Sequence, residues 1–170
     1  MAKGGTFFIR QTQNIDNDNG FYQGEIDLGA YVNALSNSIL LIRSVETTFS
    51  DSTGRSSSIA GLGQAVAQYQ LTTQSQTDIV LPSDKSVIST GRVCIVNQDA
   101  IAKIGGIVSE DLDHAPQMYA EGYLVATDSI FLGGAASTDF SGNVYCSVVL
   151  ECEVTTMTSN KAMALALSQQ

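Results

Sequence analysis

The sequence predicts an all-β protein: a single-domain antiparallel β-sandwich or jelly roll with a short C-terminal helix or arm. In Val144–Thr156, apolar side chains recur at every second residue. Successive side chains of a strand point to opposite faces, so this alternation indicates a long strand with one buried face. Further β-branched and apolar runs recur along the chain, with turn residues between them. About eight short strands separated by turns are typical of sandwiches and jelly rolls.

Each predicted strand is bounded by residues that favour turns. The run from Asn14 to Gly20 predicts a turn, and the strand after it is predicted to be the hairpin partner of the strand before it. Ser38–Phe49 is apolar on both faces in its first half, which predicts a position between two layers. The predicted strands are Thr6–Gln13, Phe21–Leu28, Ser38–Phe49, Ala65–Thr73, Asp78–Leu81, one within Val87–Asn97, Met118–Thr127, Ser129–Leu132 and Val144–Thr156. Two connections are also predicted: one or two helical turns in Gly29–Leu35, and a loop over Gly133–Gly142.

Residues 157–170 are predicted to form a C-terminal docking tail. Their alanine, leucine and methionine content favours a helix over Asn160–Ser168, capped by Thr158 or Ser159. Leu165 and Leu167 also alternate with smaller residues, so an extended arm is the alternative. Either form is too small to bury a core of its own. The tail must therefore dock on its own domain or on a neighbouring subunit.

Composition limits the classes of function. The chain has 170 residues, and its length fits one domain over residues 1–170. Only 15% of residues are charged, and the net charge is −9 without any cluster of lysine or arginine. Because nucleic-acid binding requires clustered basic side chains, we expect no direct contact with nucleic acid. No apolar run has the length of a signal peptide or a transmembrane segment, so we expect synthesis in a cytoplasm.

The three cysteines do not predict a disulfide framework. Cys146 and Cys152 lie six residues apart on one face of the same predicted strand. At about 3.3 Å per residue, their Cα atoms are roughly 20 Å apart, which is beyond disulfide reach. We therefore expect both to be buried free thiols that act as small apolar side chains.

One candidate metal site lies in the first turn. Asn14, Asp16, Asp18 and Glu25 occupy positions one, three, five and twelve of a calcium-binding loop. Asparagine at position one, Asn19 at the glycine position and flanking strands depart from that pattern. Asparagine and aspartate also favour turns by bonding to their own backbone. The turn is the preferred interpretation, and calcium is the one cofactor that the sequence leaves open.

The sequence predicts no enzyme. The single histidine, His114, lies beside Glu110, Asp111 and Asp113 in a local acidic cluster. Metal sites usually collect ligands from separate elements, so an acidic surface loop is the preferred interpretation. A histidine-based catalytic triad would have to be built on this one residue. Ala60–Val66 begins like a dinucleotide-binding fingerprint, but it has no third glycine and no predicted strand before it.

At the level of its strand order, the chain resembles the small single jelly-roll coat proteins of icosahedral viruses. The resemblance lies in the segment Tyr123–Gly134 and in the closing strand with its alanine- and leucine-rich tail. It implies a capsid protein that forms oligomeric shells with copies of itself and with other coat or structural subunits, in a virion assembled after synthesis in the host cytoplasm. Many such proteins carry a basic arm, which this chain lacks. The resemblance then implies that the genome is packaged by other means, such as a pump, an internal membrane or a separate protein.

Five residues are predicted to contribute to subunit interfaces. Leu165 and Leu167 are candidate anchors of the tail, and Tyr22, Tyr31 and Phe131 are candidate interface aromatics. The alternative function is a lectin-like or receptor-binding β-sandwich module, with or without the help of calcium, since jelly rolls serve both uses. The absence of tryptophan and the imperfect calcium loop count against this alternative.

Overall fold

The structure is a computed structural model that describes residues 5–33, 37–59, 61–97, 106–107 and 117–169. In these residues the chain forms nine strands and one C-terminal helix. The elements are β1 (Phe7–Asp16), β2 (Phe21–Asp27), β3 (Ser38–Ser50), β4 (Gly63–Thr72), β5 (Val87–Asn97), β6 (Gly106–Ile107), β7 (Gln117–Val125), β8 (Ser129–Ala136), β9 (Val144–Thr156) and α1 (Ser159–Ser168). The predicted helix is therefore present, and the tail is not an extended arm.

The strands form two antiparallel sheets. The first, sheet A, has the order β1-β9-β3-β7, and the second, sheet B, has the order β2-β8-β4-β5-β6. Successive strands cross repeatedly between the sheets, whereas β4 and β5 are consecutive and pair over their full length. Apart from the two-residue β6, this order is that of a jelly roll, with four strands in each sheet. The predicted fold class is confirmed.

The first two strands do not form the predicted hairpin. β1 pairs with β9 in sheet A, whereas β2 pairs with β8 in sheet B. Between them the chain turns a corner, with positive φ angles of 54° at Asp16 and 64° at Asn19. The backbone N–H of Asn19 donates to the carbonyl of Ala136 at the end of β8, at 3.0 Å. The corner therefore carries the chain from one sheet to the other.

β8 extends into residues that the sequence predicts to be a loop. Gly133 and Gly134 are strand residues, and each is a site of close approach. A Cβ atom on Gly133 would overlap the ring of Phe21, and one on Gly134 would lie 2.6 Å from the carbonyl oxygen of Gln68. These glycines allow neighbouring strands to pack closely; they do not end the strand.

The prediction of a strand over Asp78–Leu81 is wrong. This segment is a loop held by Gln70, whose side chain is 1% exposed. The Gln70 amide donates to the carbonyl of Asp78 at 3.0 Å, and its oxygen accepts the N–H of Val80 at 2.8 Å. One buried side-chain amide thus supplies the bonds that a neighbouring strand would otherwise supply.

The predicted helical turn after β2 is a single turn, in which the carbonyl of Leu28 accepts the N–H groups of Tyr31 and Val32. Residues 34–35, with which the predicted segment ends, lie outside the described part.

The main core lies between the two sheets. On β9, the side chains of Val144, Cys146, Val148, Leu150 and Cys152 all face it and are buried, as the alternation predicts. The first half of β3 is buried on both faces, also as predicted. Leu40 and Ile42 belong to the main core, while Ile39 belongs to a second cluster on the outer side of sheet A.

The cysteines are free, and two of them are inaccessible. Cys146 and Cys152 are both fully buried, while Cys94 on β5 is partly exposed. Burial raises the pKa of the Cys152 thiol to about 12 and moves that of Cys146 upward as well. Because the thiolate is the reactive form, both buried residues are chemically inert in the folded state.

We expect Ellman's reagent to label Cys94 alone in the folded protein, and all three cysteines in denaturant. Cys94→Ser should abolish the reaction of the folded protein at neutral pH while leaving two reactive thiols after unfolding. Rapid labelling of the folded Cys94→Ser variant would contradict the burial of Cys146 and Cys152.

Replacement of Gly134 by alanine should lower the free energy of unfolding by about 1–3 kcal/mol, because the added Cβ overlaps the backbone of β4. Gly61→Ala is the matched control, since a Cβ there meets nothing within 4 Å. Urea denaturation of both variants measures the difference. Equal stabilities would show that β8 and β4 do not approach each other this closely.

Candidate functional site

The C-terminal helix covers one end of the outer face of sheet A. Ala162 on the helix is fully buried against Ile39 of β3 and Ala126, just after β7. Leu124, Met157, Leu165 and Ala166 complete this second cluster. It lies outside the sandwich core and fastens the tail to its own domain.

The two sides of α1 differ in burial. Ala162, Leu165, Ala166 and Gln169 recur at helical spacing and face the sheet. Met163 and Leu167, one turn apart, are 54% and 69% exposed. The two predicted tail anchors therefore separate: Leu165 is half-buried in its own domain, and Leu167 projects into solvent. Leu167 is the more exposed of the two.

Gln169 anchors the end of the tail, and sequence reasoning did not identify it. Its side-chain amide donates to the carbonyl of Leu124 at 2.7 Å and accepts the N–H of Ala126 at 3.0 Å. Its backbone carbonyl accepts the hydroxyl of Thr73 at 2.9 Å. The amide group pairs with the edge of β7 as a strand's peptide group would. A glutamine near a chain end usually indicates solvent exposure, so the sequence carries no signal for this contact.

The start of α1 is fixed by tertiary contacts. Thr158 is the N-cap residue, as predicted, but its side chain makes no capping bond. The Ser159 hydroxyl instead donates to the side-chain oxygen of Asn37 at 2.7 Å, and the N–H of Met157 donates to the Asn37 carbonyl at 2.9 Å. Both ends of the helix are thus tied to the sandwich.

The three candidate aromatics lie at different places. Phe131 is on β8 opposite Glu25 and half-buried. Tyr22 is on β2, where its hydroxyl donates to Asp18. Tyr31 follows β2, is 36% exposed, and stacks on Phe7 with ring centroids 4.7 Å apart. The structure does not assemble them into one aromatic patch.

The four candidate calcium ligands lie on both sides of the corner between the sheets. Asn14 and Asp16 end β1, Asp18 lies in the corner, and Glu25 lies on β2. Both oxygens of Asp18 accept bonds within the protein, one from the N–H of Gly20 and one from the Tyr22 hydroxyl, each at 2.7 Å. Across the described ranges, no group of three or more histidine, cysteine, aspartate or glutamate side chains is placed to hold a metal ion.

The hydrogen bond between Asp18 and Tyr22 also shifts the pKa values of both side chains. The Tyr22 hydroxyl, followed by the N–H of Gly20, lowers the pKa of the Asp18 carboxyl, and the same carboxylate raises the pKa of Tyr22. These bonds hold the turn in shape at neutral pH. The acidic cluster around His114 lies outside the described residues.

The remaining outer face of sheet A carries both hydroxyl and charged side chains, the charged ones being Arg10, Glu46, Glu151 and Glu153. The hydroxyls of Thr12 on β1 and Ser147 on β9 are 2.8 Å apart and hydrogen-bonded, and Thr48 on β3 lies opposite Ser147. One ion pair crosses from β3 to β9, with Arg43 3.3 Å from Glu153. Uncharged hydroxyl groups lose less free energy on leaving water than charged groups do.

No protein-family model matches the sequence, and a search for relatives among characterised proteins gives no match. Among solved structures, the chain is similar to VP1 of the trichodysplasia spinulosa-associated polyomavirus in complex with sialylated glycooligomers, with a TM-score of 0.46 and 8% identity over 89% of this chain and 95% of that one. It is also similar to Merkel cell polyomavirus VP1 in complex with disialyllactose, with a TM-score of 0.45 and 8% identity over 92% and 97% of the two chains. A third similar structure is that of maize chlorotic mottle virus, with a TM-score of 0.34 and 8% identity over 91% and 96%.

These neighbours are viral capsid proteins, the class that the sequence resembles. No helix within the described part of the chain has the length and apolar character needed to cross a membrane.

Replacing Gln169 by alanine should lower the free energy of unfolding by about 1–3 kcal/mol, because the buried N–H of Ala126 and carbonyl of Leu124 lose their partner. Ser168→Ala is the neighbouring control, since the Ser168 hydroxyl bonds only within the exposed side of the helix. Denaturant titration measures both. A Gln169→Ala variant as stable as the control would show that the amide does not hold the tail.

Calcium should leave the melting temperature of the protein unchanged, since both carboxylate oxygens of Asp18 are already bonded within the protein. A bound ion at about 100 times its Kd would instead add about 2.7 kcal/mol of stability. Melting curves in calcium chloride and in a chelator distinguish these outcomes. A melting temperature that rises in calcium chloride for the wild type but not for the Asp16→Asn variant would establish a site at this turn.

Proposed function

We propose that this chain is a structural assembly subunit: a viral capsid protein that forms oligomeric shells with copies of itself. The observation that carries this proposal is an exposed apolar side of a helix that is itself firmly docked on a jelly-roll domain. Met163 and Leu167 project from α1, whose opposite side is buried in the second cluster. A rigid, apolar projection of this kind suits insertion into a neighbouring subunit.

Apolar side chains are also exposed elsewhere on the domain. Met118 at the start of β7 is 81% exposed, and Leu81 in the loop before β5 is 75% exposed. Leu62, next to β4, and Phe8 on β1 are exposed as well. A subunit of a closed shell meets several neighbours on different sides, so several separate apolar surfaces fit that role better than one binding cleft does.

The low surface charge supports the same role. The hydroxyl row of Thr12, Ser147 and Thr48 on sheet A is uncharged and can be covered at little cost. In this proposal the chain acts through its shape and its contacts, carries out no catalysis, and resides in the virion.

The purified protein should form rings, shells or tubes of defined symmetry, as seen by light scattering and negative-stain imaging. A stable monomer of 18.0 kDa across a range of salt and pH would contradict the proposal and favour a binding module.

The double variant Met163→Asp/Leu167→Asp should prevent assembly and leave a folded monomer, because both side chains are exposed in the isolated domain. Lys161→Glu is the control, as it changes the net charge by the same two units on another side of the helix. Sedimentation gives the oligomeric state, and circular dichroism checks the fold. Assembly of the double variant at the wild-type level would show that this side of α1 is not an interface.

A further inference from the structure

β1 lies at an edge of sheet A, and one side of its backbone has no partner among the described residues. Its neighbour β9 pairs with it in unbroken register from Phe7 opposite Cys152 to Asn14 opposite Tyr145. In an antiparallel strand, every second residue directs its N–H and C=O away from the paired neighbour. No residue in the described part of the chain bonds to that side of the backbone from Phe7 to Gln13. These groups recur at the spacing of a strand, so the partner that they fit is another extended backbone.

The other edges of the sandwich are protected against such pairing, as the edges of soluble sheets usually are. β7, the opposite edge of sheet A, meets β3 in two short stretches, because residues 119–122 form a bulge opposite Arg43. In sheet B, the part of β5 that β6 leaves uncovered is bonded from β7, where Gln117 Nε2 donates to the carbonyl of Thr90 at 2.6 Å. The edge strand β2 carries two carboxylates within its seven residues.

β1 has few of these protective features between Phe7 and Gln13. That stretch contains no proline, no bulge and one charged side chain, Arg10. The Arg10 guanidinium lies over the ring of Phe8, 5.3 Å from the ring centroid. Phe8 itself is 52% exposed on the outer face of the strand. An exposed aromatic ring beside an unpaired backbone edge indicates a contact surface.

A second copy of β1 fits this edge through a two-fold axis. Antiparallel strands related by such an axis pair outer residues with outer residues and inner residues with inner residues. A register centred on Arg10 would set two guanidinium groups opposite each other, which is unfavourable, and one centred on Gln11 would leave Phe8 opposite Asn14. A register centred on Ile9 sets each Arg10 opposite the Phe8 of the other chain. These two side chains already attract each other within one chain, so this register is the complementary one.

We propose that two copies of this chain pair β1 with β1 in antiparallel register about Ile9, which joins their A sheets into one sheet of eight strands. The pairing rests on the assembly role proposed above, but it does not involve Met163 or Leu167. Two strands that meet edge to edge bury less than the roughly 1,200 Å² of a stable interface, so this contact is weak by itself. We expect a dissociation constant of about 0.1–1 mM for the isolated pair, and tighter pairing where an assembled shell holds the subunits together.

The first test uses the Met163→Asp/Leu167→Asp variant, so that contacts through α1 do not contribute. Sedimentation equilibrium should show a monomer at about 10 µM that becomes a dimer as the concentration approaches about 1 mM. A variant that stays monomeric at about 1 mM would overturn the β1 pairing. A wild type that forms no larger assembly, while this variant still dimerises, would instead overturn the role of α1.

Two substitutions of Phe8 in the same background compare repulsion with attraction at one position. Phe8→Lys places an ammonium group opposite the partner's Arg10 at both ends of the pairing and should weaken dimerisation about tenfold or more. Phe8→Glu, the matched control, places a carboxylate there and should change the dissociation constant by less than about threefold. Within one chain the preference is reversed, because Phe8 lies opposite Glu151 of β9. Loss of folding therefore cannot account for loss of the dimer in Phe8→Lys, and equal dimerisation of the two variants would refute the pairing.

Cross-linking tests the register. With Cys94→Ser added to the same background, the Phe8→Cys and Arg10→Cys variants are oxidised separately and as an equimolar mixture. Side chains directly opposite each other have Cβ atoms about 4.5–5.5 Å apart, whereas two copies of residue 8 are offset by about 7 Å more along the strand. We expect disulfide-linked dimers chiefly in the mixture. Cross-linking that is no greater in the mixture than in the separate variants would overturn the proposal.

Discussion

The pairing of β9 with both β1 and β3 is the interaction on which the rest of the structure depends. Cys146 of β9 lies opposite Gln13 on one side and Phe49 on the other, so the last strand joins the first strand to the third. Every second side chain of β9 from Val144 to Cys152 is buried in the main core. A slip of one residue would move that whole set to the outer face, so burial fixes the register of sheet A.

Burial of β3 on both faces follows from this arrangement. One face contributes Leu40 and Ile42 to the sandwich core, and the other presents Ile39 to the C-terminal helix. Because the helix covers an apolar part of the sheet, its own opposite side is held in a fixed position. The exposure of Leu167 is thus a consequence of how Ala162 and Gln169 dock.

The exposed side of α1 and a cavity of about 300 Å³ between β3, β5 and the loops that precede β4 and β9 lie at different places. The helix exposes Met163 and Leu167, whereas the cavity opens beyond the point where β7 stops pairing with β3. Both arise at the limits of sheet A, where the regular pairing of strands ends.

The alternation in β9 and the two-sided apolar run in β3 are properties of local sequence, and they determined the strands, the fold class and the buried cysteines. The helix was also predictable from its alanine and leucine content. Close approach between distant segments has no local signature. Gly133 and Gly134 look like loop residues until Phe21 and Gln68 are placed beside them, and Gln70 and Gln169 look like surface residues until each meets an unpaired backbone. The tertiary structure alone placed Leu165 inward and Leu167 outward, because that outcome depends on contacts between residues far apart in the chain.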